Sequence, residues 1–206
     1  MQINVSSLSK KIGNKLILSD ISFRHHRGVL GIAGPNGSGK STLLKCLSGL
    51  MKPSSGSVSW SINGEEKAPG ELKHQLGYAA PYITHYSELT TRENLLFVSR
   101  LRNLDNPEAR VNQIMHEVNI EHRADIRFGS LSSGQQQRVR LASAMLHHPG
   151  ALFLDEPGTN LDDAGRELID HILEKARSRE TLVLLASNQP AELEYCDSTI
   201  TLSAKT

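Results

Sequence analysis

The chain has 206 residues, and its 23 Lys and Arg against 22 Asp and Glu give a net charge of +1. A chain of this length can fill one α/β core with a subdomain. The even charge balance offers no basic stripe for a polyanion, so nucleic acid is not predicted as a partner. No run approaches the ~18 to 20 apolar residues of a membrane span, and residues 1–11 lack the apolar centre of a signal peptide. We therefore expect a soluble protein, and two cysteines alone predict a reducing compartment rather than a disulfide framework.

Alternating apolar and polar residues predict two half-exposed strands near the N terminus, at residues 3–5 and 16–23. The continuous apolar run 29–33 predicts instead a strand covered on both faces. A helix is predicted from residue 40 to about residue 50, and another strand at residues 57–62. The first third of the chain is thus predicted to be mainly strands, with one strand–loop–helix unit.

From about residue 91 to residue 119 the apolar spacing becomes helical, with a break at residues 105–107. This pattern predicts a helical insertion between two parts of the core. Short apolar strands then return at residues 151–154 and 181–186, separated by a helix of roughly residues 162–177. Strand, helix and strand at this spacing imply a right-handed parallel crossover.

Residues 34–41 read GPNGSGKS, which matches G-x-x-x-x-G-K-[ST] between a buried strand and a helix. Glycines let successive N–H groups turn inward around an anion, and the helix directs the positive end of its dipole to the same place. Lys40 adds a full charge for the β- and γ-phosphates, and the Ser41 hydroxyl is suited to Mg²⁺. A plain connecting turn is the alternative, but the flanking strand and helix favour nucleotide binding. The predicted nucleotide-binding residues are Gly34, Pro35, Asn36, Gly37, Ser38, Gly39, Lys40 and Ser41.

Two carboxylates, Asp155 and Glu156, follow the strand at residues 151–154. The carboxyl end of a parallel strand is where α/β sheets place ligands. We predict that Asp155 holds Mg²⁺, directly or through water, and that Glu156 orients and deprotonates an attacking water. Alone, D-E-P after four apolar residues is ordinary turn chemistry; the phosphate loop in the same chain favours function.

The sequence LSSGQ at residues 131–135 precedes another amphipathic helix. Ser132 or Ser133 would serve as the N-cap of that helix. The same serine hydroxyl and the Gly134 N–H would equally suit a second anion site. Physical chemistry alone leaves both alternatives open.

Taken in order, these segments resemble the nucleotide-binding domain of ABC ATPases over the whole chain. Residues 34–41, continued by Thr42, resemble the phosphate loop of the family. Residues 131–135 are similar to its signature LSGGQ, with Ser133 in place of the first glycine. The other similar segments are the Walker B strand at 151–156, the D-loop at 158–162 with Asp162, and ELTTRENL at 88–95, which resembles the family's ELTVRENL.

The resemblance implies an α/β fold: a P-loop NTPase core with a parallel sheet, an N-terminal antiparallel β subdomain and an inserted helical subdomain. Residues 1–206 would form one domain, with the core at about 1–78 and 129–206 and the helical subdomain at about 79–128. The implied activity is Mg²⁺-dependent ATP hydrolysis, with Glu156 as the catalytic glutamate.

The resemblance also implies partners. Two ABC domains, as a homodimer or heterodimer, would pack head to tail with ATP between them. Each ATP would contact the loop at 34–42 of one chain and the signature of the other, formed by Ser132, Ser133, Gly134 and Gln135. An integral membrane transporter subunit would dock roughly from Pro81 to Asn94. That partner would place the chain in the cytoplasm, on the inner face of the membrane.

Besides Ser133, three departures from the family pattern matter for the chemistry. Ile12 stands where an aromatic ring usually stacks on adenine; we predict that it packs against the purine without face-to-face stacking, and a purely structural role in the N-terminal strand is the alternative. The Q-loop glutamine is absent, because its position falls on Pro81 or Tyr82. Asn188 replaces the switch histidine; it donates hydrogen bonds but carries no charge. These changes predict that the protein hydrolyses ATP slowly, or only when docked on its partner.

The favoured interpretation is the energy-supplying subunit of a membrane transporter. Its short length resembles the ATPases of the cytochrome c maturation (haem exporter) type. One alternative is a soluble ABC ATPase acting in assembly or maturation. Another is a nucleotide-gated subunit with very slow hydrolysis.

Overall fold

The structure, a computed structural model, describes residues 1–203, apart from the side chains of residues 163 and 164. The strands in this part are β1 Gln2–Ile12, β2 Lys15–His25, β3 Val29–Ala33, β4 Ser55–Ile62, β5 Glu65–Lys67, β6 Leu76–Ala79, β7 Ala151–Asp155, β8 Leu182–Ser187 and β9 Ser198–Thr201. The α-helices are α1 Lys40–Leu47, α2 Thr91–Leu101, α3 Pro107–Glu117, α4 Ser133–Met145, α5 Asp163–Ser178 and α6 Pro190–Leu193. Short 3₁₀ turns occur at Pro69–Leu72, Glu121–Arg123 and Phe128–Ser130.

Four N-terminal strands form an antiparallel sheet in the order β2-β1-β4-β5. In the central strand β1, Val5 pairs with Phe23 on one side and with Val58 on the other. Alternate residues of β1 are buried near its start, as expected for a sheet with one solvated face. This sheet is the predicted N-terminal β subdomain.

The remaining five strands form a parallel sheet in the order β6-β7-β8-β3-β9. Its central strands β7 and β8 are buried along their full length, because helices cover a parallel sheet on both faces. The register pairs Asp155 with Ala186 and Ala33 with Ser187. The carboxyl ends of β3, β7 and β8 therefore meet at one edge, and this edge carries the candidate site.

Two hydrophobic clusters lie on opposite faces of the parallel sheet. One joins α1 to the antiparallel sheet, and the other joins α4 and α5 to the helical insertion. The fully buried Trp60 connects three elements of the first cluster. Its indole N–H donates to the Leu47 carbonyl at 3.1 Å, and its ring meets Phe153 edge-on at 6.0 Å. This packing holds α1, and hence the preceding loop, against β7.

The predicted α/β class and both sheets are confirmed, and the insertion contains α2 and α3 with a break between them. Helix α1 was predicted too long: it ends at Leu47, not near residue 50. Gly49 has φ 78°, and a Cβ there would lie 2.9 Å from Pro69 Cβ, so the chain turns away. Strand β4 begins at Ser55, two residues earlier than predicted.

Strands β5, β6 and β9 were not predicted, because runs of three or four residues give no periodic pattern. Helix α4 packs against both insertion helices and against β6. The subdomain limits at residues 79 and 128 remain a prediction.

Candidate nucleotide-binding site

The loop between β3 and α1 has a backbone that only glycine adopts readily. Gly34, Gly37 and Gly39 have φ values of 153°, 80° and 99°. A Cβ on Gly39 would lie 2.8 Å from Leu18 Cδ2, and one on Gly34 would lie 2.6 Å from the Leu202 carbonyl oxygen. The loop is thus confined between β2 and the C-terminal segment, with Pro35, Asn36 and Gly37 exposed and Ser38 buried.

Lys40 begins α1 and is only 5% exposed. Its ammonium group donates to the carbonyls of Gly34, at 2.8 Å, and Pro35, at 3.2 Å. The nearest described carboxylate oxygen is Glu156 Oε1, 3.8 Å from Nζ. The first turn of α1 contains no acidic residue, so the charge of Lys40 and the helix dipole together favour an anion in this loop. Thr42 lies half-buried in the same turn.

Asp155, at the end of β7, is 1% exposed and bonded through both carboxylate oxygens. Oδ1 accepts from the Ser41 hydroxyl at 3.0 Å, and Oδ2 accepts from the Tyr82 hydroxyl at 3.1 Å. Burial raises the pKa of Asp155 above its ordinary value, although these two hydrogen bonds act in the opposite direction. The structure thus brings Ser41 and Asp155 together, and adds Tyr82, one of the two residues to which the Q-loop position was assigned.

Glu156 has a left-handed backbone, with φ 47°. Its N–H donates to the Ala186 carbonyl at 2.8 Å, which ties the residue to β8. A non-glycine residue in this region is strained by ~1 to 3 kcal/mol, and such strain clusters at functional sites. The turn directs the Glu156 carboxylate towards the ammonium group of Lys40.

Asn188 follows β8 and reaches the phosphate loop. Its Nδ2 donates to Asn36 Oδ1 at 2.9 Å. The predicted switch position and the predicted loop, 152 residues apart in sequence, are therefore in direct contact. The contact followed from the parallel order of β3 and β8, which sequence periodicity alone did not reveal.

The predicted signature lies at the N terminus of α4, where Ser132 is the N-cap. Its hydroxyl accepts from the Gln135 N–H at 3.3 Å, while Gln135 Oε1 accepts from the Ser132 N–H at 3.0 Å. Ser132 and Ser133 are exposed. The capping alternative thus holds for Ser132. A second anion site at this position remains a prediction.

The signature and the predicted D-loop line one cleft of about 440 Å³. A Cβ on Gly134 would lie 2.9 Å from the Asn160 carbonyl oxygen, so the two segments touch. Asp162 caps α5, accepting from the Gly165 N–H at 2.9 Å, and its Oδ1 lies 3.8 Å from the Arg138 guanidinium. Within one chain, the residues that line this cleft do not include those of the phosphate loop.

Ile12 is 51% exposed at the end of β1, paired with Lys15 across the hairpin. Apolar side chains of β2 lie next to the phosphate loop instead: a Cβ on Gly39 would lie 2.8 Å from Leu18 Cδ2 and 3.1 Å from Ile17 Cγ2. Contact between Ile12 and adenine remains a prediction.

The segment from Pro81 to Asn94 carries exposed aromatic surface. Tyr86 is 58% exposed, and it meets the 40%-exposed Phe97 of α2 edge-on at 5.3 Å. Asn94 anchors the segment through hydrogen bonds to the N–H and the carbonyl of Tyr86. The loop is thus ordered and presents an apolar face beside α2.

The ABC transporter family matches residues 18–159, which is more than half of the chain and includes the loop, both carboxylates and the signature. This chain belongs to the ABC transporter family. Two relatives are the uncharacterized ABC transporter ATP-binding protein YdbJ of Bacillus subtilis, 35% identical over 96% of this chain, and the Nod factor export ATP-binding protein I of Burkholderia orbicola, 34% identical over 95%.

The present chain covers 65% and 66% of the length of these two relatives, which is just under two thirds. A solved structure of the ATP-binding subunit of an ABC transporter is similar with a TM-score of 0.86 and 28% identity, covering 98% of this chain and 86% of the other. Its fold therefore agrees with the two-sheet architecture described above. Across residues 1–203, no helix combines the length and the apolar character that crossing a membrane requires.

Proposed function

We propose that the chain binds ATP and hydrolyses it with Mg²⁺ as the energy-coupling subunit of an ABC membrane transporter. The observation that carries this proposal is the convergence of three residues distant in sequence, Asp155, Glu156 and Asn188, on the phosphate loop and the first turn of α1. Lys40 lies within 3.8 Å of Glu156, Ser41 contacts Asp155, and Asn188 contacts Asn36. Both relatives are named as ATP-binding proteins, one of an ABC transporter and the other of Nod factor export, which supports the same conclusion.

The chain's own groups would bind the triphosphate without large rearrangement. The Lys40 ammonium now donates to the Gly34 and Pro35 carbonyls, and it would exchange them for β- and γ-phosphate oxygens. Charge-assisted hydrogen bonds of this kind are roughly twice as strong as neutral ones. The inward N–H groups of the loop and the N terminus of α1 would add further donors.

The residues present fit Mg²⁺. Ser41 Oγ and Asp155 Oδ1 lie 3.0 Å apart, and both are oxygen ligands, which Mg²⁺ prefers together with waters and substrate phosphates. We propose that these two side chains hold the ion. When bound, Mg²⁺ would neutralise charge on the phosphates.

Glu156 would act as the general base. Its carboxylate would orient a water and take one of its protons as the water oxygen attacks the γ-phosphorus. The bond from that phosphorus to the bridging oxygen would break, giving ADP and inorganic phosphate. The Asn188 amide would donate to a γ-phosphate oxygen as charge shifts during transfer.

We also propose that two ABC chains sandwich each ATP, with Ser132–Gln135 of one facing the phosphate loop of the other. The exposed position of Ser132 and Ser133 beside the 440 Å³ cleft supports this arrangement. A transmembrane subunit would dock on the exposed aromatic surface between Pro81 and Asn94, which would hold the chain at the cytoplasmic face of the membrane.

Replacing the general base tests this function. Glu156→Gln is expected to slow phosphate release by about 10²–10⁴-fold, because general-base catalysis contributes about that much. ATP binding should be retained, since Lys40 and the loop are untouched. The measurements are steady-state phosphate release and equilibrium binding of ATP by calorimetry.

The matched control is Glu174→Gln, which makes the same change on the exposed face of α5 and should leave both quantities unchanged. Equal rates for Glu156→Gln and the unmodified chain would remove Glu156 from the mechanism. Failure of the unmodified chain to bind ATP would contradict the proposed function as a whole.

A nucleotide-gated subunit with very slow hydrolysis is the second candidate. It is favoured by one observation, the neutral Asn188 at the position that contacts the loop. Such a subunit would dimerise when ATP binds and separate when ATP leaves. It would show almost no ATP hydrolysis when assembled with its partner.

A further inference from the structure

Tyr82 links three elements that surround the proposed Mg²⁺ site. It lies three residues beyond the end of β6, and its hydroxyl donates to Asp155 Oδ2 at 3.1 Å. A tyrosine has one hydroxyl hydrogen, so its oxygen is left to accept from the Tyr78 hydroxyl at 2.7 Å. The chain of donors thus runs from Tyr78 through Tyr82 to Asp155.

The Tyr82 ring is fixed from the other side as well. The ammonium group of Lys45, on α1, lies 4.0 Å from the ring centroid, which is a favourable cation–π arrangement. Tyr78 is itself held by stacking on Phe153 at 5.7 Å. The hydroxyl of Tyr82 is therefore held in place by α1, β6 and β7, although the side chain is 46% exposed.

The two carboxylate oxygens of Asp155 contact different residues. Oδ1 faces Ser41, the other proposed metal ligand, and Oδ2 faces Tyr82. A carboxylate that is held at one oxygen presents the other in a fixed direction, which is the role of outer partners around metal ligands.

We propose that Tyr82 is a positioning residue for the metal ligand Asp155: its hydroxyl fixes Oδ2 so that Oδ1 points at the ion beside Ser41. This inference rests on the proposed function. Tyr82 also belongs to the segment between Pro81 and Asn94 that is proposed for docking.

The test is Mg²⁺-dependent nucleotide binding by the purified chain, measured by calorimetry with a non-hydrolysable ATP analogue in EDTA and over a series of Mg²⁺ concentrations. Tyr82→Phe keeps the ring and removes the hydroxyl. The Mg²⁺ concentration that gives half of the metal-dependent tightening should rise by about tenfold or more, because losing an outer partner costs about 10–100-fold in metal affinity. The dissociation constant in EDTA should not change.

Tyr195→Phe is the matched control. Tyr195 is 39% exposed and its hydroxyl is also bonded to a carboxylate, that of Asp170, away from the proposed site. This variant should behave as the unmodified chain does in both conditions.

The outcomes separate the two proposals. If the unmodified chain binds no analogue, or Mg²⁺ has no effect on its affinity, the proposed function itself is contradicted. If the unmodified chain shows the metal-dependent tightening and Tyr82→Phe matches it, or if Tyr195→Phe shifts equally, only the positioning role of Tyr82 is overturned. A parallel rise of the dissociation constant in EDTA would also overturn it, because it would show general damage to the loop.

Discussion

At the scale of single residues, the site differs from the family pattern where charge or metal ligation is expected. Asn188 contacts Asn36 of the phosphate loop through a neutral amide. An amide donates a hydrogen bond but supplies neither a proton nor a positive charge during phosphoryl transfer. The electrostatic contribution from this position is therefore smaller than that of a protonated histidine.

Slow turnover is the expected consequence. The isolated chain should hydrolyse ATP at well under about 10 s⁻¹, a typical enzyme rate. Asn188→Ala removes the remaining donor and should lower that rate by a further ~10²-fold, the cost of losing one well-placed donor, with ATP affinity nearly unchanged. Steady-state phosphate release at several ATP concentrations separates kcat from KM. Turnover near 10 s⁻¹, or no effect of Asn188→Ala on kcat, would contradict this expectation.

The sequence singled out candidate residues but not their contacts. The motif around Lys40 is defined by its spacing, and the pair Asp155 and Glu156 gained weight only because that motif occurs in the same chain. The contact between Asn188 and Asn36 and the one between Tyr82 and Asp155 depend on strand order. Strand order is a non-local property that no window of sequence contains.

At the scale of elements, strongly periodic segments were predicted well. Helix α5 lies within one residue of its predicted limits, and α2 and α3 fall inside the predicted helical stretch 91–119 and are separated near the predicted break, since each carries an amphipathic pattern. The missed strands β6 and β9 have four residues each and are stabilised by neighbours in the sheet rather than by their own sequence. One consequence is that the Q-loop position, in the loop after β6, was assigned only to one of two residues, Pro81 or Tyr82.

Two histidines lie where the insertion meets the core. His147, after α4, has its Nε2 3.2 Å from the Leu76 carbonyl of β6, and His85 packs against Phe128 at 5.1 Å. Within residues 1–203 the Nδ1 atoms of both rings lack a hydrogen-bond partner. Burial lowers the pKa of each to about 4 from an ordinary value of 6.5, helped by a nearby arginine in each case.

The fold should therefore lose stability in mild acid. Between the ordinary pKa and the lowered one, the unfolded chain binds a proton at each histidine while the folded chain does not, so the free energy of unfolding falls as pH falls. From about pH 7 to about pH 5 the loss is about 2 kcal/mol for each histidine. Urea unfolding at both pH values measures it.

The matching variant is His147→Gln, which keeps a donor for the Leu76 carbonyl and removes the titration. The pH-dependent loss should shrink by about 2 kcal/mol, whereas His171→Gln, on the exposed face of α5, should change it little. An identical pH dependence for His147→Gln and the unmodified chain would refute the assignment of this loss to His147.

At the scale of the whole molecule, the family and the two-sheet architecture follow from motif order and are confirmed by the comparisons. The motifs found in the sequence are those of nucleotide binding and are specific for no transported substance, so the sequence predicts none. The cytochrome c maturation subgroup stays a prediction, and so does a soluble role in assembly. The exposed signature residues support the proposal that a second chain completes each ATP site.

The most direct test is the mass of the Glu156→Gln variant in solution, measured by gel filtration with light scattering. With saturating ATP and Mg²⁺ the variant should run as a dimer, because bound triphosphate contacts the loop of one chain and Ser132–Gln135 of the other and is not hydrolysed. Without nucleotide, the Glu156→Gln variant should run as a monomer. The Lys40→Ala variant should run as a monomer even at saturating ATP. A monomer at saturating ATP, with nucleotide shown to be bound, would contradict the shared site.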